Sequence, residues 1–359
     1  MSTNNNSLVS NDIKYAFVFV IWGGLKYLTG AITCAYSLIQ QNTTHDIILM
    51  YTDIENINIK LCENIFTKVI KTELIPKYSF IQPKTNTQKS FYAGNFYNTV
   101  NTKWRCLELE EYEKVCFVDS DMIFIHNPDD VFKYPTPAAV FKNPFQEPYA
   151  GNRGLYNPYK KLLDGDLIKN ETIYLALNPK QDCHSTTVAN GFLVVLTPSK
   201  KQFQNLIKLF ESKKRENKNY GFKNSYSSID EQAITHLYNS QGINWYNIEP
   251  HYAMTPWKTN AFYGFTQFNI TNHKFTDMIG LHYIHDKPWE NGRGTGYDDT
   301  SLWWNVYFNL CTFLGDDYSD ILNTQIDKTI IDSGYRYVLN NKQMILDSQN
   351  VILRYANTI

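Results

Sequence analysis

The chain lacks several features that would place it in a broad class of proteins at once. No apolar run approaches the roughly 20 residues that a transmembrane helix needs, so we expect no membrane-spanning segment. Residues 1–11 are polar and contain no signal-peptide core, so we expect a flexible tail and a cytoplasmic protein. The 34 basic and 35 acidic side chains nearly cancel, which leaves no basic excess for a nucleic-acid partner.

Cysteine is also scarce, and its spacing excludes a common kind of metal or redox site. The six cysteines are scattered, and no two of them form a C-x-x-C pair. Most lie in apolar segments, which favours buried free thiols in a reducing compartment. Hydrophobic residues, by contrast, make up 43% of the 359 residues, which excludes a disordered chain and is enough for a sizeable core.

The first 75 residues alternate short apolar runs with helix-period segments. The runs Tyr15–Ile21 and Asp46–Tyr51 predict buried strands, and the segments 27–41 and 57–70 predict helices. Uninterrupted apolar strands that alternate with helices are typical of a parallel sheet with crossover helices. We therefore expect an α/β fold.

The rest of the chain continues this pattern and ends in helices. The expected strands are Lys114–Val118, 191–196 and 278–284, and the expected helices are 102–112, 201–213 and 229–238. From residue 301 onward the sequence is mainly helical. We therefore expect one large domain over 12–300 and a helical C-terminal extension over 301–359 that packs on the same domain.

Two aspartates follow one of the predicted strands. Asp119 and Asp121 come directly after Lys114–Val118, and ligands of open α/β sheets bind beyond the carboxyl ends of strands. Apolar residues flank the pair on both sides, and two carboxylates in such a stretch are costly to bury without a cation or another partner. A divalent cation is one interpretation. A cap of the turn into Asn127-Pro128 is the other.

A histidine and a lysine near residue 285 extend this candidate metal site. His282 lies in the predicted strand 278–284, and Lys287 follows five residues later. One imidazole with two carboxylates suits Mn²⁺, and a lysine beside it could neutralise a phosphate. A lone histidine is more often an ordinary hydrogen-bonded residue, and His285 has no second feature that supports a role.

Six segments, in this order and at compatible spacing, together resemble glycosyltransferase family 8, the glycogenin-like enzymes with the GT-A fold. They are YAFVFVI followed by Tyr27 and Gly30, Lys103-Trp104-Arg105, VCFVDSDMIFIHNPDDVF, ANGFLVVLTPS, DEQAI and HYIHDKPW. The resemblance covers roughly residues 14–290. It implies a Rossmann-like fold in which helices flank a mixed, mainly parallel sheet.

The resemblance also implies a chemistry. Such a retaining enzyme moves a hexose, glucose by default, from a UDP-sugar such as UDP-glucose to a hydroxyl of a saccharide, small molecule or protein. Asp119, Asp121 and His282 would hold Mn²⁺, with Mg²⁺ as the alternative, and Lys287 would contact the diphosphate. The other expected donor-binding residues are Ile21, Trp22, Gly23, Tyr27, Lys103, Ser120, Asn190 and Gly191.

Three consecutive polar residues match the family's D-Q position, which lies near the anomeric carbon. They are Asp230, Glu231 and Gln232. Their individual roles stay open, because the family's pair can align with Asp230 or with Glu231-Gln232.

The chain also departs from glycogenin. Lys287 lies one position closer to the signature histidine, and Gly23-Gly24 stands where the family often has a Thr-Asn type of loop. Tyr252 is a poor match for a self-glucosylated tyrosine, which disfavours self-priming. The loop over 141–183 would help to select the acceptor, since loops on a rigid scaffold vary most.

Two other functions fit part of the sequence. A haloacid-dehalogenase-type phosphatase would use Asp119 as nucleophile, Asp121 as acid/base and Mg²⁺, with a later motif at 315–320. Its nucleophile normally follows the first strand of the fold, however, whereas two strand-helix units come earlier here. A non-catalytic family member would bind UDP or glycan without turnover.

The aromatic segment at 302–308 bears on assembly. It could close the core, form a homodimer face or touch a membrane, and packing on the core is the simplest interpretation.

Overall fold

The computed structural model describes residues 14–75, 99–141, 167–168, 189–216, 229–253, 278–284, 287–291, 300–343 and 345–346. The predicted N-terminal tail, most of the predicted acceptor loop, His285 and the end of the predicted C-terminal extension lie outside these residues.

Strands and helices alternate through the first part of the described chain, and helices end it. The strands are β1 (Tyr15–Ile21), β2 (Asp46–Tyr51), β3 (Lys68–Lys71), β4 (Lys114–Val118), β5 (Met122–Phe124), β6 (Ala138–Phe141), β7 (Leu167–Ile168), β8 (Ala189–Leu196), β9 (Trp245–Asn247) and β10 (Gly280–His282). The α-helices are α1 (Lys26–Gln40), α2 (Ile59–Glu63), α3 (Lys200–Glu216), α4 (Ile229–Asn239), α5 (Pro288–Asn291), α6 (Thr300–Leu314), α7 (Asp316–Asn323) and α8 (Lys328–Asn340). The 3₁₀ helices are Val100–Glu108, Asp129–Lys133 and Pro250–Tyr252.

One eight-stranded sheet runs through the described residues in the order β3-β2-β1-β4-β8-β6-β9-β7. The first four of these strands are parallel, with Phe17 opposite Ile47 on one side and Cys116 on the other. β8 then runs antiparallel to both β4 and β6. This arrangement confirms the predicted α/β fold with a mixed, mainly parallel sheet.

The central strands are buried on both faces, because successive side chains enter two different apolar cores. Phe17 and Phe19 of β1 belong to the core that includes α1 and the C-terminal helices. Val18 and Val20 belong to the core on the opposite face, which includes α3, α4 and the 3₁₀ helix Val100–Glu108. This two-sided burial explains why β1 is an unbroken apolar run.

β5 and β10 form a separate antiparallel ribbon, in which Met122 lies opposite His282. Helix α1 supports the ribbon, since the Ser37 hydroxyl oxygen accepts a hydrogen bond from the Phe124 amide at 2.9 Å. The ribbon therefore ties a segment near residue 280 to the residues that follow β4.

The C-terminal helices pack on α1. Trp303, Trp304 and Tyr307 of α6 are fully buried in the same core as β1. The Thr29 hydroxyl donates to Gln325 Oε1 at 2.9 Å. In the part of the chain that the structure describes, no helix is both long and apolar enough to cross a bilayer.

The helix predicted over 57–70 is wrong in its second half. α2 ends at Glu63, and the chain then forms β3. Thr67 explains the change, because its hydroxyl oxygen accepts a hydrogen bond from the Ile47 amide at 2.7 Å and so starts the pairing with β2. The β-branched residues that follow fit a pleated strand better than a helix.

Two other predicted elements also differ from the structure. The helix expected over 102–112 is a 3₁₀ helix over Val100–Glu108. The strand expected over 278–284 is shorter in the structure and is only β10, although the Tyr283 amide continues the register of the ribbon with a bond to the Asp121 carbonyl oxygen. The sequence pattern does not predict β5, β6, β7 or β9, which are all short and gain their stability from pairing with other strands. The five cysteines that the structure describes are free thiols, and four of them are buried.

Candidate metal centre

The backbone brings the three predicted metal ligands together. Asp119 and Asp121 lie just beyond the carboxyl end of β4, and His282 is the last residue of β10. β10 pairs with β5, which begins directly after Asp121, and the Tyr283 amide donates to the Asp121 carbonyl oxygen at 2.8 Å. As a result, one ligand atom from each of the three side chains lies within 4.8 Å of the other two.

Asp121 lies between an imidazole and a lysine ammonium. Its Oδ1 lies 3.2 Å from His282 Nε2, and its Oδ2 is bonded to the Lys287 ammonium. Burial alone would raise the pKa of Asp121, but Lys287 and His282 outweigh burial and hold it well below its usual range. The carboxylate is therefore charged.

Asp119 lies in a different environment. Burial raises the pKa of this carboxyl above its usual value, and the Lys103 ammonium, 3.0 Å from Oδ1, opposes that shift. Asp121 adds to the increase because it is a second negative charge nearby. A divalent cation between the two carboxylates would offset this repulsion.

The donor set of these residues fits a divalent metal. Two carboxylates and one imidazole, whose ligand atoms lie within 4.8 Å of one another, offer oxygen and nitrogen ligands together. Mn²⁺ accepts such a mixed set, whereas Mg²⁺ prefers oxygen ligands and water. The Phe192 ring lies 4.4 Å from the His282 ring and limits its rotation.

A cleft of about 520 Å³, counting the part open to solvent, lies beside this group. Eight of the residues predicted to bind a donor line it, together with Val20, which the sequence reading assigned only to the core. The lining residues are Val20, Ile21, Trp22, Tyr27, Lys103, Asp119, Ser120, Asp121 and Lys287.

The remaining predicted donor residues lie outside that lining. Gly23 is exposed in the loop after β1, with φ at +78°, and Gly24 has φ at +138°, so both adopt backbone that favours glycine. Asn190 and Gly191 are buried on β8, where the Asn190 amide donates to the Val140 carbonyl oxygen at 2.7 Å.

The predicted catalytic residues begin helix α4, and all three are buried. Asp230 Oδ2 lies 2.8 Å from the Lys103 ammonium, and Glu231 Oε1 accepts a hydrogen bond from the Gly191 amide at 3.1 Å. A Cβ atom at Gly191 would lie 2.6 Å from Asp230 Oδ2, so only glycine allows this approach. Gln232 is 3% exposed.

Trp289, which the sequence left as a packed turn, supports the lysine side of the cleft. Its ring packs against Gly30 of α1, where a Cβ atom would lie 2.5 Å from the ring and 2.6 Å from the Ser120 carbonyl oxygen. Tyr27 meets the same ring edge-on, with 6.4 Å between the centroids. These contacts fix the start of α5, directly after Lys287.

Two alternatives from the sequence find no support in the geometry. Asp316, Asp317 and Asp320 of the phosphatase-like motif are exposed on α7, and among the described residues they join no cluster of metal-ligating side chains. Tyr252 is only 5% exposed, which agrees with its poor match to a self-modified tyrosine.

The comparisons with known sequences cover only part of the chain. No protein-family model matches it. It is 34% identical over 137 residues to an uncharacterised protein of Acanthamoeba polyphaga mimivirus, a stretch that covers 38% of this chain and 46% of that protein. It is also 34% identical over 127 residues to UDP-glucuronate:xylan alpha-glucuronosyltransferase 2 of Arabidopsis thaliana, which covers 35% of this chain and 20% of the plant protein. The chain thus spans less than half the length of these curated relatives.

Solved structures match over much more of the chain. The apo structure of the bifunctional glycosyltransferase WbbM matches 88% of this chain and 52% of its own, with a TM-score of 0.51 and 12% identity. The galactosyltransferase LgtC, in complex with donor and acceptor sugar analogs, matches 82% of this chain and 96% of its own. Its TM-score is also 0.51 and its sequence identity is also 12%. The chain has the GT-A glycosyltransferase fold. The predicted fold is therefore confirmed, and glycogenin-like specificity stays a prediction.

Proposed function

We propose that the protein is a metal-dependent glycosyltransferase that uses a UDP-sugar. The observation that carries the proposal is the group of Asp119, Asp121 and His282, the last two of them buried, beside a cleft at the carboxyl ends of parallel strands. The GT-A fold and the partial match to UDP-glucuronate-dependent plant transferases support the same class of reaction.

Asp119, Asp121 and His282 would hold the metal, with Mn²⁺ favoured over Mg²⁺ by the imidazole. When bound, the metal supplies Lewis-acid stabilisation of the leaving diphosphate. Lys287, at the same edge of the cleft, would add a second positive charge against the departing phosphate. The low pKa of Asp121 keeps that carboxylate ionised for this task.

The aromatic and apolar part of the cleft lining suits a nucleoside. Tyr27 is half-buried and lines the cleft with Ile21 and Trp22. Aromatic and apolar faces of this kind stack on a base, and the polar edge of the cleft then lies where the diphosphate would follow. We assign the uracil to this part of the cleft.

The sugar would lie between the metal group and the start of α4. Asn190, Gly191, Asp230, Glu231 and Gln232 are the polar groups on that side. We propose that they orient the donor sugar and that transfer proceeds with retention of the anomeric configuration. Glucose is the default hexose. The plant relatives are named for UDP-glucuronate as their donor. A panel of UDP-sugars is therefore needed to identify the donor of this protein.

The proposal is tested by UDP release from a panel of UDP-sugars with Mn²⁺, Mg²⁺ or EDTA. We expect slow hydrolysis of one donor that needs the metal and is lost in Asp121→Ala. Asp320→Ala is the matched control, because it removes an exposed aspartate far along the chain and should leave UDP release unchanged.

The same panel separates the alternatives. UDP that binds with Mn²⁺ while no donor is consumed would support a non-catalytic binder. Mg²⁺-dependent hydrolysis of p-nitrophenyl phosphate, lost in both variants, would support the phosphatase instead.

A further inference from the structure

A row of aromatic rings joins the cleft to the C-terminal helices. The Tyr27 ring meets the Trp289 ring with 6.4 Å between the centroids, and the Trp289 ring lies 5.3 Å from the ring of Trp303 on α6. Tyr307, one turn later on α6, stacks on Trp303 at 5.4 Å. Trp289 therefore contacts α1 at Gly30 and α6 at Trp303, so both helices limit where its ring can lie.

Packing, rather than hydrogen bonding, fixes the two indole rings. Among the residues that the structure describes, the indole nitrogens of Trp289 and Trp303 have no hydrogen-bond partner. Trp303 is fully buried, and Trp289 is 4% exposed. Because no directional bond holds either ring, the position of Trp289 depends on the shape of its neighbours. A smaller side chain at position 303 would leave a cavity beside Trp289.

Trp289 belongs to a helix that is too short to be stable on its own. α5 spans only Pro288–Asn291 and directly follows Lys287, and it packs against α6 and α8. The Glu290 amide donates to the Lys287 carbonyl oxygen at 3.0 Å, so Lys287 belongs to the same turn. The Lys287 ammonium in turn bonds Asp121 Oδ2. The lysine that faces the metal group therefore depends on the packing of α5 for its place.

We infer that Trp303 is a positioning residue for the donor site: it holds Trp289, and through α5 it keeps the Lys287 ammonium at the cleft. The inference rests on the proposed function, in which Lys287 meets the diphosphate. Trp303 is not among the residues that line the cleft, so its effect is indirect. The inference gives the C-terminal extension a part in donor binding, although the family resemblance ends near residue 290 and does not include α6.

A binding cycle tests the positioning role. The variants are Trp303→Leu, Lys287→Met and the double variant, and the measurement is the Kd for UDP in Mn²⁺. We expect Trp303→Leu to raise the Kd at least about tenfold in the native background, and less than about threefold when Lys287→Met is already present. Equal factors in both backgrounds would show that Trp303 does not act through Lys287, which would overturn the inference.

Trp245→Leu is the matched control for the loss of a buried tryptophan. Trp245 is also fully buried, but it lies in the opposite core, where its ring contacts Phe141 and Tyr238. Both substitutions should lower the Tm, because each leaves a cavity. Only Trp303→Leu should weaken UDP binding, and an equal loss in Trp245→Leu would overturn the inference. If Trp303→Leu does not fold, Trp303→Phe takes its place, with the same pattern at smaller factors.

A chemical-labelling experiment tests the same link without nucleotide or metal. The Lys287 side chain is 12% exposed, so acetic anhydride should acetylate it slowly in the native protein. We expect acetylation of Lys287, followed by mass spectrometry, to be at least about fivefold faster in Trp303→Leu and unchanged in Trp245→Leu. An unchanged rate in both variants would overturn the inference. A native protein that binds no UDP would defeat the proposed function, whereas the labelling would still support or overturn the link between Trp303 and Lys287.

Discussion

The two halves of the sheet contribute to the site in different ways. The parallel half, β3-β2-β1-β4, supplies one wall of the cleft from loops that directly follow its own strands, such as 21–27 after β1 and 119–121 after β4. The β5–β10 ribbon and helix α4, which packs on β8 of the other half, supply residues that are far away in sequence, such as His282 and Asp230. In the proposed assignment, local strand-loop units form the nucleotide side, whereas segments that are distant in sequence complete the metal and sugar side.

The largest expected effect comes from a substitution of His282, which the ribbon places beside Asp121. His282→Ala removes the only nitrogen ligand of the metal group, and we expect metal-dependent UDP release to fall by at least about 100-fold. His236→Ala, in the last turn of α4, is the control and should stay within about twofold. An equal loss in both variants would show that His282 matters to the fold rather than to the metal.

The next largest effect is expected from a methyl group at Gly30. It would disrupt the close packing of α1 against the Trp289 ring and the Ser120 backbone. The new Cβ would lie 2.5 Å from the Trp289 ring and 2.6 Å from the Ser120 carbonyl oxygen. We expect Gly30→Ala to lower the free energy of unfolding by about 1–3 kcal/mol. The measurement is denaturant unfolding. Gly30→Ala should also weaken UDP binding, since Ser120 lines the cleft.

Gly23→Ala gives the comparison for that variant. Its Cβ meets no atom within 4 Å, and only the positive φ of +78° opposes the change. We expect a cost of about 1 kcal/mol. If Gly30→Ala costs no more than Gly23→Ala, the close contact between α1 and Trp289 is not important for stability.

The parallel half is the easier part to derive from the sequence alone, and particular residues show why. β1, β2 and β4 have the bounds that their apolar runs predict, and Asp119 and Asp121 could be placed at a strand end from their position alone. The ribbon could not be derived, because the pairing of Met122 with His282 depends on tertiary contacts and not on local pattern.

The same reason explains the other differences. The segment 57–70 has a helix-like spacing, yet pairing with β2 turns its second half into β3. Nothing in the spacing of Lys103 and Asp230 indicates that the two side chains share an ion pair at 2.8 Å. Contacts between distant segments are therefore the part of the structure that local sequence patterns do not predict.

Ser37→Ala should produce a smaller loss, confined to the ribbon. It removes the acceptor of the buried Phe124 amide, and we expect a cost of about 1–2 kcal/mol in the free energy of unfolding. Thr33→Ala on the same helix is the control, because its hydroxyl bonds only the Thr29 carbonyl oxygen, one turn earlier. A ribbon role for Ser37 also predicts weaker Mn²⁺ binding in Ser37→Ala and unchanged binding in Thr33→Ala.

The smallest effect is expected where the C-terminal helices meet α1. Thr29→Val removes the hydrogen bond to Gln325, and we expect a loss of about 0.5–1.5 kcal/mol in the free energy of unfolding. UDP release should not change, because neither residue lines the cleft. A loss of activity without a loss of stability would mean that this hydrogen bond takes part in the reaction.

The most direct test of the account is calorimetric titration of the native protein and of Asp121→Asn with UDP, in Mn²⁺ and in EDTA. We predict that the native protein binds UDP in Mn²⁺ and much more weakly in EDTA, and that Asp121→Asn binds weakly in both. Equal binding of UDP with and without metal, or no binding under any condition, would contradict the assignment of Asp119, Asp121 and His282 as the metal centre of a UDP-sugar site.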